Sequence, residues 1–312
     1  MRIVFCGTPE FAAPTLRRLL IEPDCTIEAV VTQPDRPRGR GQQVTSSPVK
    51  ELALDAGLYV YQPETMKSDS AYGFFQRLAP DAVVIIAYGQ IIPARLIELP
   101  RLGWINLHAS LLPKYRGAAP INWAIINGER RTGLTTIQID AGLDTGPILQ
   151  QQAHEIGADE TAPELARRLA EAGAPLMLET LRKLDRRELT PTPQEHAQAT
   201  LAPMLKKEDG RINWLLTAQQ IYNRIRGLDP WPGAFTAFRG QLCHLWGRST
   251  EAAAGKAEAP GSLLVSDGEL YVACGQDTRL RLEAVQLEGR KRVSARDFAN
   301  GAHLEPGERF GS

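Results

Sequence analysis

Asn106 and His108 stand two residues apart in Trp104-Ile105-Asn106-Leu107-His108, a mostly apolar run with the character of a strand. Alternate residues of a strand share a face, so the amide and the imidazole are expected to project together. An amide N–H can stabilise a developing oxyanion, and an imidazole beside it can shuttle a proton. The same spacing also suits a histidine and an asparagine that are simply satisfied by backbone groups. A carboxylate would tip that choice, because it orients an imidazole and raises its basicity. Asp144, bracketed by Gly142 and Gly146 in a short turn-rich segment, is the candidate. Taken alone, an Asp in such a loop is equally an Asx-turn residue. A third feature runs from Thr32 to Lys50, where Arg36, Arg38, Arg40 and Lys50 face one acid, Asp35, for a local charge of +3. Arginines in a long loop suit phosphate contacts, or form a solvated charged loop.

The elements that must carry these groups alternate between two patterns. Strands are expected at 3–6, 27–32, 58–61, 81–87, 104–108, 133–139 and 148–156. Helices are expected at 11–20, 49–56, 70–78, 120–126 and 162–184, from apolar spacing and terminal signals. The segment 82–87 is apolar throughout, as a central strand covered on both faces should be. Alternation of this kind predicts a parallel, doubly wound α/β sheet with right-handed crossovers. Ligands of such sheets bind beyond the carboxyl ends of the strands, which points to the residues after Cys6, Ala87 and Leu107. Proline and small polar residues crowd 189–205, which reads as an interdomain connection. Beyond it, 221–225 reads as a short helix, and the short segments that follow at 234–238, 241–246, 261–265, 269–273 and 279–285 are broken by Gly and Pro. They predict a small β-barrel, with a mobile loop at 251–259. The expected division is a first domain at 1–188, a linker at 189–205 and a second domain at 206–312.

Composition narrows the function classes. The 312 residues carry 36 basic and 36 acidic side chains, and 43% are hydrophobic, the mix of an ordinary folded chain rather than a disordered one. The longest apolar runs are strand-sized, far short of the ~20 residues of a spanning helix. Four scattered cysteines without a CxxC argue against a disulfide framework or a zinc site. No GxGxxG follows the first strand, and no GxxxxGK[ST], GxSxG or HExxH occurs, which disfavours dinucleotide, P-loop, serine-hydrolase and zincin chemistry. No metal is called for. His154, His196, His244 and His303 have no ligand spacing, and 289–292, a short basic run, reads as a solvated turn or as a contact for a polyanion.

Asn106-Leu107-His108 followed by Ser110-Leu111-Leu112-Pro113 and Tyr115-Arg116-Gly117, together with Gly142-Leu143-Asp144-Thr145-Gly146, resembles the signature of formyltransferases that use 10-formyltetrahydrofolate. The loop Gln33-Pro34-Asp35-Arg36-Pro37 with Gly39-Arg40-Gly41, and Ser47-Pro48-Val49-Lys50, is similar to the branch acting on methionyl-tRNA. So are Ala87-Tyr88-Gly89, Ile92-Pro93, Arg211-Ile212-Asn213-Trp214 and Asp229-Pro230-Trp231-Pro232-Gly233. The likeness runs through nearly the whole chain. It implies a Rossmann-like parallel-sheet formyltransferase domain followed by a small OB-like β-barrel that contacts tRNA. It also implies Asn106, His108 and Asp144 as the catalytic set. Ser110, Leu111, Leu112 and Pro113, with Tyr88, Gly89, Gln90, Ile91 and Ile92, would line the folate site. Arg36, Arg38 and Arg40 would guide the acceptor end of initiator methionyl-tRNA. From Lys206 to Ser312 there are 15 basic and 13 acidic residues, so a barrel contact with tRNA depends on placement rather than bulk charge.

The implied reaction moves formyl from 10-formyltetrahydrofolate, as co-substrate, to the α-amine of methionyl-tRNA for translation initiation. The expected setting is a monomer in a bacterial cytoplasm with no membrane partner. Three rivals share features with this reading. A sugar-nucleotide formyltransferase would have the same chemistry but is not expected to carry the DRPxGRG loop or the GLDTG loop. A glycinamide ribonucleotide formyltransferase would end after the first domain. A non-catalytic tRNA-binding protein would have no use for an intact Asn106, His108 and Asp144.

Overall fold

A computed structural model of the chain describes all residues except 39–42, 251–257, 306 and 312. The mobile loop expected at 251–259 therefore falls largely outside the described residues. Nine strands precede residue 156: β1 (Arg2–Gly7), β2 (Thr26–Val31), β3 (Arg36–Arg38), β4 (Gln43–Thr45), β5 (Val60–Tyr61), β6 (Ala82–Ile86), β7 (Trp104–His108), β8 (Arg131–Gln138) and β9 (Ile148–Glu155). Seven of them form one sheet in the order β5-β2-β1-β6-β7-β8-β9. β6 is buried along its whole length, which is why its sequence shows no alternation. Helix starts follow side-chain chemistry: Ser47 caps Pro48–Asp55 by accepting from Lys50 N, and Ser68 caps Asp69–Leu78 by accepting from Ala71 N.

The sheet is parallel from β5 to β7, as expected from the alternation. Its last two strands depart from that expectation, because β8 pairs antiparallel with β7 and β9 antiparallel with β8. The loop between β8 and β9 is too short for the crossover that a parallel pair needs. The helix Pro120–Ile126, expected as a crossover, groups instead with the second compact unit over most of its length. The order of β2, β1 and β6 reverses direction between β1 and β6, where Gly7 pairs with Ile86. A cleft at the carboxyl edge of such a sheet opens at that reversal. Ile85 pairs with Asn106, so the loop after β6 and the end of β7 lie side by side there.

By compactness the chain divides into one unit of Met1–Pro120, Arg131–Glu155 and Glu164–Pro203, and another of Ile121–Arg130, Ile156–Pro163 and Met204–Ser312. The segment expected as an interdomain connection, 189–205, groups with the first unit as far as Pro203. Thr192 and Ile148 exchange two backbone bonds of 2.8 Å, so the segment is tied to β9 there without periodic apolar residues that would mark it in the sequence.

The second unit holds β10 (Phe235–Phe238), β11 (Gln241–Ser249), β12 (Leu263–Ser266), β13 (Glu269–Ala273), β14 (Arg279–Leu287) and β15 (Val293–Ser294). They form an antiparallel sheet in the order β10-β11-β14-β13-β12, with β15 on β14. Its core gathers Trp214, Ile221, Ile225, Leu245, Val272, Leu282, Phe298 and Phe310. Helices Ala218–Gly227 and Ala295–Ala302 pack on these strands. The sequence pattern predicts neither the second of these helices nor the short helix Ala94–Ile97 nor the β3–β4 hairpin. Among the described residues no helix is long and apolar enough to cross a membrane.

Candidate active site

β7 delivers Asn106 and His108 to the carboxyl edge of the sheet, and the loop after β8 brings Asp144 to both. Asn106 Nδ2 donates to Asp144 Oδ1 at 3.5 Å. The other carboxylate oxygen, Oδ2, lies 3.6 Å from His108 Nδ1 and accepts from the Gly117 backbone N at 2.9 Å. His108 is 5% exposed, and its Nε2 meets the Tyr115 carbonyl at 2.8 Å. A carbonyl can only accept, so Nε2 carries a proton. Nδ1 is then the ring nitrogen left to exchange a proton, and it faces a carboxylate. The three residues singled out in the sequence are therefore together, and a main-chain N–H and a main-chain carbonyl hold two of them.

The Asp144 loop is built for this placement. Asp144 has φ 52°, a left-handed conformation that costs a non-glycine residue roughly 1–2 kcal/mol but that Asp tolerates better than most. Asp140 Oδ1 ties the loop from within, accepting from Gly142 N at 3.0 Å and from Thr145 Oγ1 at 2.6 Å. A Cβ at Gly142 would collide with the Thr145 side chain, and one at Gly146 with the Gln138 carbonyl oxygen. The two glycines are thus sterically required. From outside, Gln194 Nε2 donates to the carbonyls of Asp144 and Gly146 at 2.8 and 2.7 Å. Gln194 Oε1 accepts from Arg116 Nε and Nη2 at 3.1 and 2.6 Å. Arg116 Nη2 also lies 3.1 Å from His196 Nδ1, and since a guanidinium only donates, that nitrogen accepts.

Gln194 and the role of Arg116 escaped the sequence reading. Gln194 sits between proline and charged residues in an aperiodic stretch, and no local signal marks it as buried. Arg116 was visible only as part of a motif. Tyr115 and Gly117 contribute main-chain atoms, which no residue type announces.

The residues expected at the folate site divide by what their side chains do. Ser110 is buried, and its hydroxyl donates to the Lys114 carbonyl at 2.6 Å. Thr135 on β8 pins the same turn, donating to the Ser110 carbonyl at 2.6 Å and accepting from Leu112 N at 3.2 Å. Leu112 is buried, whereas Leu111 and Pro113 are half-buried. Tyr88 packs into the core with Val83 and Trp104. Burial pushes its phenol pKa up, and the hydroxyl has no hydrogen-bond partner among the described residues. Its carbonyl accepts from Gln33 Nε2 at 3.0 Å. Gln90 turns inward to meet Met66 N at 2.8 Å, and Ile92 is buried. Ala87, Gly89 and Ile91, the last 74% exposed, are what this loop presents to solvent at the sheet edge.

The basic loop is partly structured. Arg36 and Arg38 lie on β3, opposite Thr45 and Gln43 of β4, and Arg36 is exposed. Arg40 lies outside the described residues. Lys50 is bonded to Asp35, which also accepts from Gln62 Nε2 at 3.0 Å. Lys50 holds the Asp35 carboxyl below the usual carboxylate range, with Gln62 adding to the effect. Lys50 is thus committed within the protein, whereas Arg36 is exposed. Among the described residues no group of three or more His, Cys, Asp or Glu could hold a metal ion.

Comparison with known proteins adds an independent line. Residues 1–181 match the family model described as "Formyl transferase", and residues 204–303 match "Formyl transferase, C-terminal domain". The chain is 53% identical to a protein named methionyl-tRNA formyltransferase from Solibacter usitatus, covering 100% of this chain and 99% of that one. It is 51% identical to the protein of the same name from Acidobacterium capsulatum, covering both fully. Among solved structures it is similar to an N-formyltransferase from Helicobacter canadensis in complex with folinic acid and dTDP-3-aminofucose. That likeness has a TM-score of 0.66 at 17% identity, over 90% of this chain and 98% of that one. It is also similar to HypX from Aquifex aeolicus in complex with tetrahydrofolic acid, with a TM-score of 0.61 at 18% identity. The likeness covers 99% of this chain but spans about half, 48%, of HypX. At these identities the solved structures speak to the fold alone.

Proposed function

The chain belongs to the methionyl-tRNA formyltransferase family, and from that premise we propose how it transfers a formyl group to the α-amine of methionyl-tRNA. The donor is a tetrahydrofolate-type carrier, proposed as 10-formyltetrahydrofolate, and the product is the N-formylated initiator for translation in a bacterial cytoplasm. The observation that carries the reading is the single carboxylate of Asp144 met by Asn106 Nδ2, His108 Nδ1 and Gly117 N. Loop 87–92 suits a flat heterocycle beside that carboxylate. Its exposed members are Ala87, Gly89, whose main chain a ring can reach, and Ile91, an apolar platform.

In the reaction one C–N bond forms at the amine and one breaks at the folate nitrogen, while the amine loses a proton and the folate nitrogen gains one. Asn106 Nδ2 donates to the formyl oxygen as charge gathers there. His108 uses Nδ1, since Nε2 is committed to Tyr115 O. Neutral, it takes the proton leaving the amine. The Asp144 carboxylate 3.6 Å away stabilises the imidazolium so formed, which then returns the proton toward the leaving nitrogen. Main-chain bonding of Asp144 through Gly117 keeps the carboxylate from swinging away between steps.

The test is transfer of labelled formyl from 10-formyltetrahydrofolate with methionyl-tRNA and an amino-sugar nucleotide in competition. Label is expected on the tRNA. Label on the sugar alone would overturn the acceptor assignment, and no transfer to either would overturn the activity. The basic loop gives a second expectation. Arg40→Ala, alone or with Arg36→Ala and Arg38→Ala, should raise KM for the tRNA much more than KM for the folate, because each arginine supplies a phosphate or base contact. Equal changes in the two KM values would remove the loop's role.

A further inference from the structure

We infer that Gln194 is a positioning residue for the reaction: by capturing two carbonyls of the Asp144 loop while it is itself anchored on Arg116, it sets the carboxylate against His108. Gln194 is 6% exposed and Arg116 7% exposed, so the contact is made away from water, where a missing partner is costly. Both halves of the amide are in use. Nε2 spends its two hydrogens on Asp144 O and Gly146 O at 2.8 and 2.7 Å. Oε1 takes two N–H groups of the guanidinium at 3.1 and 2.6 Å.

No other side chain of this length meets both demands. Glutamate would pair with Arg116 but has no hydrogen for the carbonyls when ionised. Lysine or arginine would serve the carbonyls but repel Arg116. Asparagine is one methylene short.

The anchor is rigid for a separate reason. Arg116 N donates to Thr200 O at 2.9 Å and Ala202 N to Arg116 O at 2.7 Å, and Tyr115 N donates to Thr200 Oγ1 at 2.9 Å. A Cβ at Gly117, φ 117°, would stand 2.7 Å from Ala202 O, so the chain stretch around 200–202 lies flush on the residues that hold Asp144 Oδ2 and His108 Nε2. The stretch from Thr192 to Ala202 is therefore a strap across the site. Gln194 is its buckle, joining the Asp144 loop to the same Tyr115–Gly117 turn that orients both catalytic side chains. Asp144 sits in a left-handed conformation that needs such external support.

The kinetic test rests on the formyl-transfer reading; an exchange test on the free protein does not. Gln194→Glu keeps the pairing with Arg116 and loses the donors, whereas Gln194→Ala loses both. If the donors position the loop, both variants should lower kcat about 10- to 100-fold, as expected for a displacement on the order of 1 Å at a reacting group. KM for the folate should change less than about threefold, and Gln194→Glu should melt at or above Gln194→Ala. Hydrogen exchange of the peptide spanning 140–147 should quicken about tenfold or more in both variants, through loss of the two hydrogen bonds that tie the loop. A Gln194→Glu enzyme with wild-type kcat would overturn the inference, because that variant has lost both donors to the loop carbonyls. Unchanged exchange at 140–147 would overturn it equally. A wild-type protein without transferase activity would sink the reaction instead, and the exchange result would then decide the role of Gln194 on its own.

Discussion

Asn106→Ala should slow single-turnover formyl transfer about 100- to 1000-fold, the usual loss on deleting one donor to a developing oxyanion. His108→Ala should cost at least as much, since the imidazole is the group placed to carry the proton. The two changes differ in what they leave behind. Without Asn106, the carboxylate still has Gly117 N and the imidazole, so the ground-state site persists and KM should change little. Without His108, a buried space opens beside Tyr115 O, which loses the imidazole as a donor, and some loss of stability accompanies the loss of rate. Because the two residues serve the same transfer step, the double variant should be little slower than the worse single one. Rapid-quench measurement with saturating charged tRNA and folate separates chemistry from binding. Single-turnover rates within a factor of three of wild type in both variants would exclude these residues from the chemical step.

Gly146→Ala carries the second large effect. The methyl group would be driven into the Gln138 carbonyl oxygen, a backbone atom at the end of β8 that has no freedom to retreat. Inserting one carbon into a packed site of this kind typically costs 1–3 kcal/mol, occasionally more. Here the strain falls on the residues that hold Asp144, because the Gly146 carbonyl is one of the two that Gln194 captures. Activity should fall about 100-fold or more while the fold of the second unit is unaffected. Gly142→Ala meets a side chain, Thr145, rather than a backbone atom, and should be milder. Thermal melting and formyl transfer measured on both variants check this order. A Gly146→Ala protein with native stability and rate would mean that the loop has a conformational freedom the steric argument denies it.

Much of the architecture was legible because its signals are local. The strand at Trp104–His108 and the helix at Pro120–Ile126 have the bounds expected from sequence, since apolar spacing and turn residues are read over a few positions. The face shared by Asn106 and His108 follows from the two-residue period alone. The antiparallel run of β8 and β9 was not legible, because strand direction is decided by connection geometry and by where a helix finds its partner. Pro120–Ile126 has the pattern of a crossover helix and groups elsewhere. The β3–β4 hairpin hid in a stretch read as loop, since strands of three residues in a pair carry no pattern long enough to count.

The candidate site divides along the same line. The residue types determined its chemistry: an amide and an imidazole on one strand face, a carboxylate between glycines, arginines after the second strand. The strand period, glycine sterics and charge are properties of short segments, so one polymer sequence specifies them before any folding. What tertiary structure decided is which of these groups meet and what holds them. The Asp144 carboxylate reaches His108 across 36 positions because β8 turns back along β7. Gln194, 50 positions beyond Asp144, completes the arrangement through its amide. Contacts of that range are set by packing and by the need to satisfy buried main-chain groups, and neither leaves a mark on neighbouring residues.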